Sequence, residues 1–257
     1  MKLIILAGGF GTRIGERTSV IPKPMIQIGG KPVLWHIMKI YSHYGINEFI
    51  ICLGYKGEII KDYFLHYEAR NNDFTIDLGN SNVRFHSNHN ELDWKVTLVD
   101  TGLNTLKGGR LKRVEEYIND DVNLLTYGDG VADINIRNLI AFHKKNKKMV
   151  TITGVHPPAR FGELITKGDG LLAFEEKPQT SQGIINGGFM VFNRELFNYL
   201  TSNEDCDLEI GALEKLAKNG EVAVYKHKGN WACMDHERDL KYLENLWKEN
   251  KAFWKVW

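Results

Sequence analysis

Near its start the chain has a short apolar run, Leu3–Leu6, that continues through Ala7 into a glycine-rich loop and leaves few folds open to it. An apolar run without polar alternation predicts a strand buried on both faces, as in parallel sheets covered by helices. The loop has the sequence Gly8-Gly9-Phe10-Gly11-Thr12-Arg13. Glycine lets the backbone turn sharply and bring N–H groups against a ligand, because no Cβ atom intervenes. A strand followed by such a loop predicts a site for nucleoside phosphates.

Strand-like and helix-like patterns then alternate along the chain. Residues 34–41 carry apolar side chains at helical spacing, Glu48–Leu53 is a second apolar run, and residues 56–67 return to helical spacing. This order predicts an α/β fold with a mainly parallel, Rossmann-like, doubly wound sheet. Residues 123–130 predict another buried strand, which delivers Asp129 to the sheet edge where such folds bind ligands. We expect one domain over residues 1–257.

The alternation breaks within residues 66–96, where we predict an inserted hairpin arm. Phe74–Leu78 and Val83–His86 alternate apolar and polar residues around a turn at 79–82, which is typical of a β-hairpin. An apolar hairpin face must be covered by something. It could fold back on its own domain or pack on another subunit, and we favour the second alternative.

Neither the cysteines nor the histidines predict a structural metal. The chain has three cysteines, Cys52, Cys206 and Cys233. Their odd number and the absence of Cys-x-x-Cys spacing fit a reducing cytosol and give no zinc pattern. His86, His89 and Glu91 are too loosely spaced for a ligand set, so we expect solvated residues on an exposed loop.

Composition and hydropathy argue against two classes of partner. The formal net charge of +1 at pH 7 leaves no basic excess for following nucleic-acid phosphates. The N-terminal apolar run is too short for a signal peptide, and no apolar stretch approaches membrane-spanning length. We therefore expect a cytoplasmic protein that binds neither nucleic acid nor membranes.

A proline-flanked lysine strengthens the phosphate-binding interpretation of the loop. Lys23 stands between Pro22 and Pro24, ten residues past Arg13. Gly-Gly-x-Gly-Thr-Arg followed by such a lysine resembles the signature of the sugar-1-phosphate nucleotidyltransferases. The dinucleotide fingerprint and the ATP-type loop do not fit, because the glycine spacing of the first and the Gly-Lys-Ser/Thr of the second are missing.

Further motifs resemble one branch of that family, the glucose-1-phosphate cytidylyltransferases, over nearly the whole chain. They lie at residues 94–102, 108–113, 126–133, 157–162, 175–178, 186–189 and 234–239. Two segments depart from this branch. In Leu208–Leu213, where Trp-Glu-x-Glu-Pro-Leu is usual, only Glu209 and Leu213 persist, and His236 replaces the usual threonine. The first departure bears on the rim of the sugar pocket, and neither touches the nucleotide machinery.

The resemblance implies an enzyme that transfers a cytidylyl group from CTP to α-D-glucose 1-phosphate with Mg²⁺ as cofactor. The products would be CDP-glucose and pyrophosphate, for lipopolysaccharide sugars of the dideoxyhexose or O-antigen type. It also implies a homo-oligomer built from trimers, a hexamer. Two alternatives stay open: the same transfer with UTP or onto another phosphorylated acceptor, and a non-catalytic nucleotide sensor of the same fold.

The resemblance also implies roles for individual residues. Arg13 and Lys23 would be catalytic. The nucleotide would be bound by Leu6, Ala7, Gly8, Gly9, Gly11, Thr12, Arg13, Lys23, Thr105, Arg110, Gly128 and Asp129. The sugar phosphate would be bound by Tyr127, Gly162, Glu176, Lys177, Asn186 and Gly187. Asp129 and Asp235 would hold Mg²⁺, which takes carboxylate oxygens together with phosphate oxygens.

The choice of base depends on hydrogen-bonding chemistry. Cytosine has an amine at C4 and an acceptor at N3, so its site needs a donor aimed at N3 or O2 and a carbonyl facing the amine. Backbone groups of residues 6–8 can meet the base edge, and Arg110 is a candidate donor. The rings of Trp94 and Tyr127 could be base platforms or ordinary core residues.

Overall fold

The fold is described from a computed structural model that covers residues 1–12, 18–157, 163–167, 170–175 and 183–257. Only the backbone is described for residues 163–167 and 173–175. The strands are β1 (Leu3–Leu6), β2 (Gln27–Ile28), β3 (Lys31–Pro32), β4 (Glu48–Leu53), β5 (Phe74–Asp77), β6 (Asn82–Phe85), β7 (Lys95–Asp100), β8 (Val122–Tyr127), β9 (Gly130–Ala132), β10 (Val150–Val155), β11 (Glu163–Lys167), β12 (Gly170–Glu175), β13 (Ile185–Asn193), β14 (Val222–Lys226) and β15 (Trp231–Cys233).

Helices follow or separate most of the longer strands. The α-helices are α1 (Val33–His43), α2 (Gly57–Leu65), α3 (Tyr67–Asn71), α4 (Lys107–Lys112), α5 (Ile136–Asn146), α6 (Glu214–Lys218) and α7 (Glu237–Lys248). Short 3₁₀ helices cover Lys23–Met25, Glu115–Tyr117 and Arg194–Tyr199, and Leu208–Leu213 forms a kinked π-helical turn. The structure describes no helix that is both long and apolar enough to span a bilayer.

A seven-stranded sheet in the order β14-β10-β13-β8-β1-β4-β7 organises the molecule. β1 runs parallel to β4 on one side and to β8 on the other, and β7 extends the parallel half beyond β4. β13 is antiparallel to both β8 and β10. The prediction of a mainly parallel α/β sheet is confirmed.

The side chains of β1 show why this sheet needs helices on both faces. Leu3 and Ile5 pack in one apolar cluster with residues of α1 and α7. Ile4 and Leu6 pack in a second cluster, together with Leu111 of α4. Because a fully apolar strand can leave neither face in water, the doubly wound arrangement follows directly from the sequence of β1.

The predicted hairpin is present as β5 and β6. Its register pairs Phe74 with Phe85 and Ile76 with Val83. These apolar side chains remain exposed, Phe74 at 42% and Ile76 at 46%. The described part of the chain therefore leaves one apolar face of the hairpin uncovered.

The expectation of a solvated loop after the hairpin is wrong for His89 and Glu91. Glu91 is 7% exposed and accepts hydrogen bonds from Lys39 Nζ at 3.1 Å and from the Tyr67 hydroxyl at 3.1 Å. His89 Nε2 lies 3.0 Å from Glu68 Oε1. The loose spacing in sequence hid a buried polar network, which forms because the loop folds back over α1 and α3.

The segment after α7 folds back over α1 and encloses a buried histidine. His36 is fully buried, and its Nε2 lies 2.8 Å from the Ile28 carbonyl oxygen. The indole of Trp254 donates to Nδ1 at 3.3 Å, so Nε2 carries the proton of a neutral ring. Burial lowers the pKa of His36 to about 4, because no carboxylate offsets the loss of water. The rings of Trp35, Trp247 and Trp257 also pack around this imidazole.

Candidate functional site

A cavity of about 630 Å³ opens along the sheet edge where β1 and β8 end. Its wall includes Leu6, Ala7, Gly8, Gly9, Phe10, Gly11, Thr12, Lys23, Pro24, Thr105, Lys107, Arg110, Tyr127, Gly128, Asp129, Asn186, Gly187, Trp231, Cys233 and Asp235. The strand order puts β8 between the glycine loop that follows β1 and the start of β13. One continuous cavity therefore has a glycine-loop side and a β13 side, with Asp129 between them.

The glycine loop keeps its shape through close backbone approaches. A Cβ atom at Gly8 would overlap the guanidinium of Arg110, and Gly11 has a φ of +65°, which favours glycine. The loop is tied to the sheet because the amide of Ala7 donates to the Cys52 carbonyl at 3.0 Å and that of Tyr55 to the Gly8 carbonyl at 3.2 Å.

Arg110 lines the same cavity, but its hydrogen-bond donors bind other groups of the protein. It is 5% exposed, and its Nη atoms donate to the carbonyls of Leu53, Gly8, Gly102 and Leu103 at 2.7–3.1 Å. It also donates to the Thr101 hydroxyl at 2.9 Å. In this arrangement Arg110 binds the loops after β1, β4 and β7 together, and its role as a donor to the base stays a prediction.

Lys23 lies between two carboxylates in the cavity. Its Nζ is 2.5 Å from Asp129 Oδ2 and 2.5 Å from Asp235 Oδ1. Burial lowers the pKa of Lys23, but the charge of Asp129 and the hydrogen bonds to both carboxylates outweigh burial, so the pKa is raised above the ordinary lysine value. Lys23 is therefore a permanently charged cation at neutral pH.

A small antiparallel ribbon explains why the two aspartates meet. β9 pairs with β15, with Gly130 opposite Cys233, so the residues flanking the ribbon become neighbours. The amide of Met234 donates to the Asp129 carbonyl at 2.9 Å, and the amide of Asp235 is held by Asp239 Oδ2 at 3.1 Å at the start of α7. The Asp129–Asp235 pair is thus set by backbone pairing between distant parts of the chain.

The carboxylates could hold a divalent cation. Ligand atoms of Asp129, Cys233 and Asp235 lie within 4.8 Å of one another, and among the described residues this is the only group of three such side chains. Burial, then the charge of Asp129, raises the pKa of the Cys233 thiol, so its sulfur is protonated and a poor ligand beside two carboxylates. Two carboxylate oxygens with open space beside them suit Mg²⁺, which usually keeps phosphate and water ligands as well.

The β13 side of the cavity carries a polar cluster that includes a glutamate outside the predicted site residues. The Tyr127 hydroxyl donates to Glu209 Oε1 at 2.5 Å, and Asn186 Nδ2 donates to the Tyr127 oxygen at 3.0 Å. Lys107 Nζ pairs with the same Glu209 oxygen. Burial, then the charge of Glu209, raises the pKa of Tyr127, so the hydroxyl keeps its proton. The sequence offered one indication of this role, because Glu209 persists in Leu208–Leu213 where most of the family motif has changed.

The predicted site residues divide into those that line this cavity and those outside the described part of the chain. The lining contains Leu6, Ala7, Gly8, Gly9, Gly11, Thr12, Lys23, Thr105, Arg110, Tyr127, Gly128, Asp129, Asn186, Gly187 and Asp235. Arg13, Gly162, Glu176 and Lys177 lie outside the described residues. Trp94 does not line the cavity. Its half-buried ring packs on the Phe49 ring at the edge of the core, with centroids 5.3 Å apart.

Comparison with known proteins identifies the family. The sequence model of the nucleotidyl transferase family matches residues 2–251. The chain belongs to the nucleotidyl transferase family. This nucleotidyltransferase is 49% identical over 258 residues to a glucose-1-phosphate cytidylyltransferase of Salmonella typhimurium, with 100% of both chains covered. It is 46% identical to a probable glucose-1-phosphate cytidylyltransferase of Bacillus subtilis, again over 100% of both chains.

A solved structure shares the same fold. The nucleotidyltransferase is similar to a UDP-glucose pyrophosphorylase solved in complex with UDP-glucose, with a TM-score of 0.68 and 16% sequence identity. The match covers 97% of this chain and 98% of the other. Because the identity is this low, the likeness supports the fold and not a shared substrate.

Proposed function

We propose that the protein transfers the cytidylyl group of CTP to α-D-glucose 1-phosphate, giving CDP-glucose and pyrophosphate. The observation that carries the proposal is the meeting of the glycine loop, the charged Lys23 and the Asp129–Asp235 pair in one cavity. The choice of CTP and glucose 1-phosphate follows the relatives of 46–49% identity, which are named for that reaction.

The reaction requires two anions to approach each other. A phosphate oxygen of glucose 1-phosphate attacks the α-phosphorus of CTP in line, and the bond from that phosphorus to the bridging oxygen breaks. Pyrophosphate leaves with the bonding electron pair. Such catalysis consists largely of positioning and of stabilising negative charge. Lys23, held charged inside the cavity, is suited to the α-phosphate as five oxygens surround its phosphorus.

We assign Mg²⁺ to Asp129 and Asp235. When bound there, the ion would neutralise charge on the triphosphate. The Lys23 ammonium lies between the same two carboxylates, so it offsets part of their negative charge before the substrates bind. A carboxylate pair left without any cation would repel the triphosphate.

The remaining ligand contacts are assigned by resemblance. The glycine loop and Arg13 would hold the β- and γ-phosphates, because backbone N–H groups and an arginine fork suit phosphate oxygens. Glu176 would bind sugar hydroxyls and Lys177 the phosphate of the sugar. Asn186, which lines the cavity, would bind at the junction of sugar and phosphate.

We further propose a cytoplasmic homo-oligomer built from trimers, a hexamer, with residues 1–257 as one domain. The support for an oligomer is the uncovered apolar face of the hairpin, where Phe74 and Ile76 are 42% and 46% exposed. CDP-glucose from this enzyme would feed lipopolysaccharide sugars of the dideoxyhexose or O-antigen type.

A screen of pyrophosphate release tests the proposed function. CTP, UTP, GTP and dTTP are each combined with a panel of sugar 1-phosphates that includes glucose, galactose and mannose. We expect kcat/KM with CTP to exceed that with UTP by at least about tenfold, which is ~1.4 kcal/mol of transition-state binding. Equal use of UTP or a preference for a purine nucleotide would refute the base assignment. No turnover with any nucleotide would favour the alternative of a non-catalytic nucleotide sensor. The Lys23–Asp129–Asp235 cluster argues against that alternative, because a sensor does not need it.

A further inference from the structure

We propose that Glu209 is a positioning residue for a sugar phosphate on the β13 side of the cavity. It accepts the last hydrogen bond of a relay that runs from Asn186 through Tyr127, and thereby fixes Asn186 and Lys107 in place. The inference rests on the proposed function for the identity of that ligand. It does not depend on which nucleotide is used. It adds a residue to the site that contacts no substrate itself and acts through Tyr127.

The relay has one possible direction. The amide of Gly188 donates to Asn186 Oδ1 at 2.9 Å, and a backbone N–H can only donate, so this atom of the side chain must be the carbonyl oxygen. The Asn186 amide nitrogen therefore faces Tyr127 and donates to its hydroxyl oxygen at 3.0 Å. The Tyr127 hydrogen must then point away, to Glu209 Oε1 at 2.5 Å. Every donor in the series points toward the glutamate.

Glu209 also accepts from a cation at the cavity wall. Lys107 Nζ pairs with Glu209 Oε1 and lies 5.2 Å from the centroid of the Tyr127 ring. Lys107 lines the cavity, as do Tyr127 and Asn186. One carboxylate oxygen thus holds both an ammonium group and the end of the relay, while Glu209 Oε2 is buried without a hydrogen-bond partner in the described residues.

The backbone that carries Glu209 is irregular and tightly packed. Leu208–Leu213 is a π-helical turn with a non-helical Ile210 at φ −84° and ψ 52°, and Asp207 Oδ1 accepts from the Ile210 amide at 2.8 Å. The segment before this turn packs so closely against α4 that a Cβ atom at Gly109 would overlap the Asn203 carbonyl oxygen. Such irregular turns are frequent at functional sites. This one delivers a carboxylate to the helix that begins with Lys107.

The relay leaves donors for an anionic ligand. Asn186 Nδ2 has two hydrogens and gives one to Tyr127, so the second remains for a ligand in the cavity. The Lys107 ammonium gives one of its three hydrogens to Glu209, so it too has donors left. An amide donor beside an ammonium group suits the oxygens of a phosphate. Because β13 and β1 flank β8 on opposite sides, this ligand lies across Asp129 from the glycine loop. That is the side expected for the sugar phosphate.

Steady-state kinetics of four variants test the relay. Glu209→Leu removes the acceptor, Tyr127→Phe interrupts the relay, Glu209→Gln keeps an acceptor oxygen, and the fourth variant combines the first two. The matched control is Glu214→Gln, the same change at an exposed position of α6. Thermal melting establishes that each variant is folded.

We expect Glu209→Leu and Tyr127→Phe each to raise KM for glucose 1-phosphate by about tenfold, with KM for CTP within about twofold of wild type. Glu209→Gln should raise the sugar-phosphate KM no more than about threefold, because its amide oxygen can still accept from Tyr127. The double variant should be no worse than the worse single variant, since both changes break one relay.

Three results would overturn the proposal. They are equal increases in both KM values, a Glu209→Gln variant as impaired as Glu209→Leu, and losses that multiply in the double variant. A wild-type enzyme that prefers another nucleotide would refute the proposed function alone, because the same sugar-phosphate KM comparison is then made with that nucleotide. If no nucleotide is turned over, calorimetric binding of glucose 1-phosphate replaces KM in the same comparison.

Discussion

Charged residues are usually exposed and apolar residues usually buried, and the cavity and the β5–β6 hairpin each reverse one half of this rule. In the cavity a charged residue is buried, with Lys23 only 8% exposed. In the hairpin apolar residues are exposed, with Phe74 at 42% and Ile76 at 46%. Buried charges and clustered exposed apolar side chains are both unfavourable unless something compensates them.

The two regions differ in where their compensation comes from. The charge of Lys23 is balanced inside the chain by Asp129 and Asp235, each at 2.5 Å. The apolar face of Phe74 and Ile76 is matched within the hairpin only by Phe85 and Val83 across the strands. The cavity is therefore organised before any ligand arrives, whereas the described part of the chain leaves the apolar face of the hairpin uncovered.

The largest expected effect comes from breaking the balance at the carboxylates. Asp129→Asn and Asp235→Asn should each lower magnesium-dependent kcat by on the order of a thousandfold, because each removes a charged ligand of the ion proposed for this site. The double variant should be little worse than either single variant, as expected when two groups serve one ion. Pyrophosphate release measured across a Mg²⁺ titration checks this.

The control is Asp77→Asn, which makes the same chemical change at an exposed position of the hairpin, far from the cavity. Full activity in excess EDTA, or single losses that multiply in the double variant, would contradict the shared-ion arrangement.

A smaller loss is expected when the cation itself is removed. Lys23→Ala should lower kcat by on the order of a hundredfold with the fold retained, because the charge that faces the α-phosphate is lost. Rapid-quench measurement of the chemical step, with circular dichroism for folding, checks it. Lys61→Ala, at an exposed position of α2, provides the comparison, and near-normal kcat in Lys23→Ala would remove Lys23 from the catalytic residues.

Changes in the hairpin should act on assembly and leave the chemistry of each chain largely intact. Replacing both Phe74 and Ile76 with aspartate should shift the particle to smaller species in light scattering, because two charges cannot be buried in an apolar contact. Asn80→Asp adds a charge to the same hairpin at its turn and keeps the acceptor for the Asn82 amide, so it should leave the particle size unchanged. A wild-type chain that is monomeric at micromolar concentration would refute the assembly role.

The pH dependence of stability tests what decides the charge of a buried group. Lys23 stays charged because carboxylates contact it, whereas the pKa of His36, lowered to about 4 by burial, leaves that ring neutral. The unfolded chain binds a proton on His36 below its ordinary pKa of about 6.5 and the folded chain does not. Stability should therefore fall as pH drops from about 6.5 to 4, by about 3 kcal/mol from this residue.

Urea unfolding of the wild type and of His36→Gln over this pH range isolates that contribution. The variant should lose less stability than the wild type between the two pH values, since glutamine does not titrate. Parallel curves for the two proteins would show that His36 is not the group responsible.

What could be predicted from sequence depended on how local each feature is. The hairpin was predicted at Phe74–Leu78 and Val83–His86 and is found at Phe74–Asp77 and Asn82–Phe85, because alternation and turn residues act over a few positions. Burial of β1 on both faces was equally local. The meeting of Asp129 with Asp235 has no local pattern and was expected only from the resemblance, and the contact of Lys23 with Asp235, 212 positions apart, was not predicted.

Contacts between distant segments account for what was missed. Glu209 and Tyr127 are 82 positions apart, and nothing in either neighbourhood indicates a shared hydrogen bond. Arg110 stood out as a motif residue, yet its donors to the carbonyls of Gly8 and Leu103 depend on how three loops converge. Charged residues can be recognised in sequence, but the partners that use up their hydrogen bonds are set by the fold.

The positions of the tryptophans allow the intrinsic fluorescence of this protein to report on the cavity. All six tryptophans lie in the described part of the chain. Four surround His36, and Trp94 packs on Phe49, so their emission forms a background that a ligand in the cavity does not reach. Trp231 lines the cavity, and its indole donates to the Gly187 carbonyl at 2.9 Å. A change in fluorescence on adding nucleotide or sugar phosphate would therefore originate from one indole, at the edge where we propose that the two substrates meet.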